Sequence, residues 1–198
     1  MTTSSKQRNL DFMYAIDFED TSIKSGLTPL LKLVMQSLPV PSVAISQFAS
    51  SQHYIKSTDP VSATFQDNVS LLSDIIAGSG EMLIIQDSAA QSDKWNGFLH
   101  EGILCCVALP VKLPVGELWG MVAVTDNQSR QWTDEEINLI QHVTNTISWQ
   151  IHTEIERQLQ NKQIEVLKNS ENLFQQLADT STDALVILDE DACIAYCN

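Results

Sequence analysis

The run Trp132-Thr133-Asp134-Glu135-Glu136-Ile137 constrains this chain more than any other, because neither proline nor glycine follows it as far as Asn198. Thr133, with Glu136 three residues on, forms a capping-box pattern in which the hydroxyl bonds the N3 amide and the carboxylate returns to the cap's own amide. Trp132 and Ile137 take the two positions of a hydrophobic staple. Asp134 and Glu135 add negative charge where the helix dipole favours it. A helix that starts this firmly and meets no breaker has to be long, so residues 133–177 are read as one rod.

Along that rod Ile140, Val143, Ile147, Ile151, Ile155, Leu159 and Val166 keep to one side at heptad-like intervals, and Leu167, Phe174 and Leu177 continue the pattern. Such a stripe predicts a parallel homodimer, with a locally unwound coiled coil where the steps from Ile147 to Leu159 are all four. The alternative is a helix packed only on its own domain, which leaves the polar stretch Gln158–Gln163 with little to hold it helical.

With 25 acidic against 11 basic side chains, the net charge is -14. Most of the surface then repels a phosphate backbone or an anionic membrane, so neither nucleic acid nor membrane is expected as a partner. The first residues, MTTSSKQRNLDFMY, lack the apolar core of a signal peptide, and no run reaches the roughly 18 apolar residues that span a bilayer. A cytoplasmic protein is expected. Cys105 and Cys106 point to opposite faces of a strand and, with Cys193 and Cys197, are too few and too oddly spaced for a disulfide framework.

Residues 1–20 read as a polar tail unless Phe12, Tyr14, Ile16 and Phe18 dock on something. Leu27, Leu30, Leu31, Val34 and Leu38 predict a helix, with Thr28-Pro29 as its cap and first turn and Pro39 as its stop. Pro41–Phe48 and His53–Lys56 predict a hairpin. Phe65, Val69, Leu72 and Ile76 line a second helix that Gly78 and Gly80 end, and Met82–Ile85 is a buried-looking strand. A polar loop from Gln86 to Gly102 exceeds the usual connection length. Ile103–Leu113 and Glu117–Thr125 form a last hairpin, with Ile103, Cys105, Val107 and Leu109 on one side and Leu104, Cys106 and Ala108 on the other. Both sheet faces are therefore covered, which makes the chain an α+β protein with an antiparallel sheet between helices.

The order helix, hairpin, helix, strand, polar loop, then GILCCVALPVKLPVGELWGMVAVTD and RQWTDEEINLIQHVTNTIS, resembles a GAF domain over residues 21–152. Residues 153–177 are then a signalling-helix linker. Residues 170–198, SENLFQQLADTSTDALVILDEDACIAYCN with Ser170 at their head, resemble the opening of a PAS domain, so that residues 178–198 hold only its start. The resemblance implies a ligand pocket between the sheet and the long loop, with Asp87, Trp95, Phe98, His100 and Cys106 as candidates. A covalently held bilin is not expected, because bilin-binding relatives follow the cysteine directly with histidine or leucine, whereas Cys106 and Val107 follow Cys105 and Cys106 here. The cofactor is otherwise open. Lys94–Phe98 is a faint echo of a cyclic-nucleotide signature.

No phosphate-cradling loop, nucleophile elbow or metal-helix motif is present, and His142 and His152 stand ten residues apart on the rod, too far out of phase to share a metal. No residue is assigned a catalytic role. The expectation is the dimeric sensory input region of a signalling protein, controlling a histidine kinase or a cyclic di-GMP cyclase or phosphodiesterase. Two alternatives are a GAF-type redox enzyme using Cys105 or Cys106, and a purely structural dimerisation module.

Overall fold

The computed structural model describes residues 17–49, 52–86, 103–180, 186–188 and 194–197. Helix α1 (Thr21–Ser37) leads into the hairpin β1 (Ser42–Gln47) and β2 (His53–Ser57), followed by helix α2 (Ala63–Ser79) and strand β3 (Leu83–Ile85). Strands β4 (Cys105–Lys112) and β5 (Leu118–Asp126) precede helix α3 (Asp134–Asp179) and the short pair β6 (Val186–Leu188) and β7 (Ile194–Cys197). The first five strands make one antiparallel sheet in the order β2-β1-β5-β4-β3, and β6 pairs with β7 alone. The chain divides into two compact units at Ile155/Glu156, so the sheet and the first half of α3 belong together.

Helix α1 starts seven residues before the expected Thr28-Pro29 cap. Asp20 caps it by accepting from the Ser22 amide, and Pro29 sits inside. Its apolar spacing extends backwards through Ile23 to Leu27, both buried, and that burial outweighs the backbone bond that Pro29 cannot donate. The tail is also shorter than expected. Phe18 is buried, stacked on Tyr54 at 6.1 Å and edge-on to Trp119 at 5.9 Å, whereas Phe12, Tyr14 and Ile16 lie outside the described residues.

Helix α2 follows the expected pattern. Ser62 caps it, Val69, Leu72 and Ile76 are buried, and Gly80 closes it in the left-handed conformation that glycine adopts at no steric cost. The strand faces also alternate as expected, with Cys105, Val107, Leu109 and Val111 in one cluster and Cys106 and Ala108 in another. Ile103 is the exception. It joins the cluster of Cys106, because β4 begins only at Cys105 and strict alternation does not reach back to it.

A bulge explains a second departure. Val111 pairs with Gly120 and Lys112 with Leu118, which leaves Trp119 as the extra residue on β5. The bulge turns Trp119 into the cluster of Val122 and Val124 rather than that of Met121 and Ala123. Gly120 is fixed beside it, since a Cβ there would stand 2.2 Å from the Ser46 carbonyl oxygen.

The capping box at the start of α3 forms as read: the Thr133 amide donates to Glu136 Oε2 at 2.9 Å and the Glu136 amide to Thr133 Oγ1 at 3.3 Å. The stripe behind it needs correcting. Ile140, Val143, Ile147, Ile151 and Ile155 are buried in the sheet's own core with α1, so these five do not form the seam of a dimer. A 3.5- to 3.6-residue period marks a buried face without saying what buries it. Leu159 is half-buried, and Val166 is exposed together with Ile164, Leu167, Leu173, Phe174 and Leu177.

Candidate functional site

The two faces of the sheet are built differently, and cross-strand register shows how. On the face under α1 and α3, β1, β4 and β5 contribute Val43, Ile45, Val107, Leu109, Val122 and Val124. On the face under α2, the pairing aligns three rows. Ser57, Ser42, Thr125, Cys106 and Ile85 form the first, and Ile55, Ala44, Ala123, Ala108 and Leu83 the second. The third runs His53, Ser46, Met121 and Pro110. Three alanines in the middle row and hydroxyls in the outer ones leave this face thin and polar.

At the first row a cavity of about 190 Å³ opens between the sheet and the start of α2, lined by Ser42, Ser57, Asp59, Ser62, Phe65, Ile103, Thr125 and Asp126 among others. Ser42 Oγ and Thr125 Oγ1 meet at 2.5 Å on its wall, both buried. Among the described residues its lining holds two carboxylates, Asp59 and Asp126, and no basic side chain, and these carboxylates favour a small polar molecule with donors to offer.

The third row carries a network that the sequence reading missed. His53 Nδ1 lies 2.9 Å from Ser46 Oγ and Nε2 lies 2.8 Å from Ser70 Oγ, while Ser46 donates to Ser73 Oγ at 2.8 Å and Ser70 to the Gln66 carbonyl at 3.0 Å. The ring thus ties β1 and β2 to α2. Burial lowers the His53 pKa from its ordinary 6.5. Nearby on α2, Asn68 is 5% exposed and its Nδ2 has no hydrogen-bond partner among the described residues. A buried amide left unpaired is costly. The legible signal was β1 itself, SVAISQ, whose alternate positions Ser42, Ala44 and Ser46 are all small.

Of the five candidate pocket residues, only Cys106 is described. It is fully buried in the first row beside Thr125, and burial, with Cys105 next to it, pushes its thiol up to about 12. A nucleophilic thiol needs the thiolate near neutral pH, and this environment withholds it. Cys105 is buried on the other face and donates to the Gln128 carbonyl at 3.1 Å. Asp87, Trp95, Phe98 and His100 lie outside the described residues. Among the described residues, no group of three His, Cys, Asp or Glu side chains is placed to hold a metal, and no helix is long and apolar enough to cross a membrane.

The cavity wall connects to the start of α3. Asp126 accepts from the Gln128 amide at 3.0 Å and from Arg130 Nη1 at 3.2 Å, and Arg130 Nη2 pairs with Glu136 Oε1. Glu136 is the capping-box carboxylate. The Arg130 guanidinium also lies 4.5 Å over the Trp132 ring, whose N–H donates to the Ile85 carbonyl at 3.3 Å. One short chain of contacts therefore runs from the cavity, and one from the end of β3, to the first turn of the long helix.

The family model for the GAF domain matches residues 23–151, more than half of the chain. Among solved structures, the domain assigned to a two-component sensor histidine kinase protein from Sinorhizobium meliloti 1021 is 13% identical, with a TM-score of 0.57 over 72% of this chain and 99% of that one. The photoproduct state of GAF3 from Slr1393 of Synechocystis sp. PCC6803 is 16% identical, with a TM-score of 0.54 over 71% and 98%. The GAF domain/HD domain protein from Geobacter sulfurreducens is 15% identical, with a TM-score of 0.51 over 69% and 95%. At these identities the likeness is one of fold. No curated protein matches.

Proposed function

The chain belongs to the GAF domain family, and from that premise we propose that it is the sensory input region of a signal-transduction protein. A small polar ligand or a partner acts on the α2 face of the sheet, and helix α3 carries the result towards an output domain. The observation that carries this reading is the contact chain from the cavity through Asp126 and Arg130 to Glu136. A ligand that engages Asp126 competes for the carboxylate that holds Arg130, and so changes how the first turn of α3 is capped. Two packings that differ in this way bias an output by their difference in free energy.

The exposed apolar residues Ile164, Val166, Leu167, Leu173, Phe174 and Leu177 support a parallel homodimer, because a helix with that much uncovered apolar surface gains by pairing. Residues 178–198 as the start of a PAS domain, and a histidine kinase or cyclic di-GMP enzyme as the output, complete the proposal on sequence resemblance alone. The chain itself is assigned no turnover.

Native mass spectrometry of freshly purified protein, a thermal-shift panel of amines, amino acids and nucleotides, and light scattering test the reading together. A retained or stabilising molecule is expected, along with a dimer mass; ligand-induced stabilisation follows from binding to the folded state alone. A chain that holds nothing, shifts with nothing and scatters as a monomer at high micromolar concentration overturns it.

A further inference from the structure

Strand β3 is too short to cover its neighbour. It pairs with Cys106, Val107 and Ala108, so β4 continues from Leu109 to Lys112 with no strand beside it among the described residues. A cleft of about 310 Å³ lies along the uncovered length, walled by the turn after α2 on one side and by α3 on the other. Met82 and Pro110 give it an apolar wall, and Glu81, Lys112, Gln141 and Asn145 give it a polar one. An added strand is poorly served here, because Pro110 has no amide hydrogen to donate and the Lys112 carbonyl already accepts from Ser148 Oγ at 2.6 Å. Something smaller than a strand fits better.

Two opposite charges line this cleft without pairing. Among the described residues, the side chains of Glu81, Lys112, Gln141 and Asn145 have no hydrogen-bond or ionic partner. Glu81 follows the C-terminus of α2, whose last carbonyls carry partial negative charge, and the two together suit an ammonium. Gln141 and Asn145 stand one turn apart on the same side of α3, and their amides can donate to an oxygen held by the Lys112 ammonium. Thr144 is already committed, since its hydroxyl donates to the Ile140 carbonyl at 2.8 Å. A lone anion meets Glu81 here, and a lone cation meets Lys112. A molecule that carries both charges answers each of them. We infer that the cleft binds a small zwitterion with an apolar body, of which an α-amino acid such as leucine or methionine is the simplest. Its ammonium goes to Glu81, its carboxylate to Lys112 and its side chain to Met82 and Pro110. The volume lies at the lower end of the range for ligand pockets. This site shares no lining residue with the cavity on the α2 face, and so goes beyond the sensory reading above.

The test is an NMR titration of the isotope-labelled full chain with L-leucine, beside isocaproate and isoamylamine, which each lack one of its charges. Shifts are expected at Glu81, Lys112, Gln141 and Asn145. Each analogue should bind at least about tenfold more weakly, the worth of one hydrogen bond to a charged group. Lys112→Met and Glu81→Gln should each weaken L-leucine by a similar factor. Both side chains are exposed, so neither substitution should unfold the domain; circular dichroism checks this for each variant. Leucine binding that survives both substitutions, or analogues that bind as well as leucine, overturns the zwitterion site. Shifts confined to Ser42, Thr125 and Asp126 move the amino acid to the α2 face, which overturns this inference and supports the sensory reading. No shift with millimolar L-leucine or L-methionine also overturns it, and leaves the sensory reading to be decided by the ligands of the α2 cavity.

Discussion

The two faces of the sheet use the same strands and opposite chemistry. The α1/α3 face is packed with branched and aromatic side chains, from Val43 and Ile45 through Trp119 to Ile147 and Ile151. The α2 face answers with Ala44, Ala108 and Ala123, the Ser42–Thr125 pair, the His53 network and a buried Asn68 whose Nδ2 has no partner among the described residues. One face is where stability is concentrated, and the other keeps polar groups and space that a stability-optimised core would lose. A fold that must change shape on binding can put the change only where packing is thin, because a close-packed core has no graded response.

The largest effect expected from this contrast is chemical. With its thiol pushed up to about 12 from the ordinary 9.0, Cys106 in the native protein should alkylate roughly a thousandfold more slowly than in denaturant, since only the thiolate attacks. Cys105, buried on the opposite face, serves as the internal standard. Peptide mapping after brief iodoacetamide treatment at pH 8 reads both. Rapid labelling of Cys106 with Cys105 protected shows that the α2 face opens widely in solution; rapid labelling of both breaks the comparison and revives the redox alternative.

Next in size is Ile147→Ala. It deletes a fully buried side chain from the branched face, and the lost transfer energy plus the residual cavity cost about 2–5 kcal/mol. Urea denaturation measures it, and a loss below about 1 kcal/mol would mean that this face is no tighter than the other. Thr133→Ala removes the capping hydroxyl of α3 and should cost about 1 kcal/mol. If Arg130 transmits from the cavity, the same substitution also shrinks the stabilisation given by any ligand found. Asn68→Leu points the opposite way. Replacing a buried amide whose Nδ2 has no partner among the described residues with an apolar group of similar size should gain about 1 kcal/mol while weakening ligand binding on the α2 face, and a net loss of stability would show that the amide is satisfied.

What the sequence made legible follows local rules. The Thr133–Glu136 capping box, the α2 stripe ending at Gly80 and the alternation of Cys105 and Cys106 are each decided within a few residues, and each is present. What it hid depends on distant partners. Nothing local says that Pro29 lies inside a helix, that a bulge turns Trp119 over, or that Ile140–Ile155 pack on a sheet rather than on a second helix. The candidate site was hidden for the same reason. Ser42, Thr125 and Ser57 are separated along the chain and become a row only through register, whereas the reading from family resemblance pointed to the loop that holds Asp87, Trp95, Phe98 and His100.

The smallest expected effect is the most specific to the α2 face. Burial lowers the His53 pKa below 6.5, so the folded protein resists a proton that the unfolded chain accepts. Between the folded value and 6.5 the unfolded state binds more protons, and stability therefore rises with pH across that window. It is fully present above 6.5 and declines as the pH falls through 6.5 towards the folded value. The ring is partly open to solvent, with Ser46 and Ser70 as its partners, so the decline should be modest. Carboxylates elsewhere also titrate on the acid side, and the wild type alone cannot separate them. The comparison that isolates the ring is the melting temperature at pH 7.5 and 5.5 for the wild type and for His53→Gln, which keeps polar contact without titrating. The drop should be smaller in the variant. Equal drops would mean that His53 carries no proton-linked stability, and that the hydroxyl network holds β1, β2 and α2 together regardless of its charge.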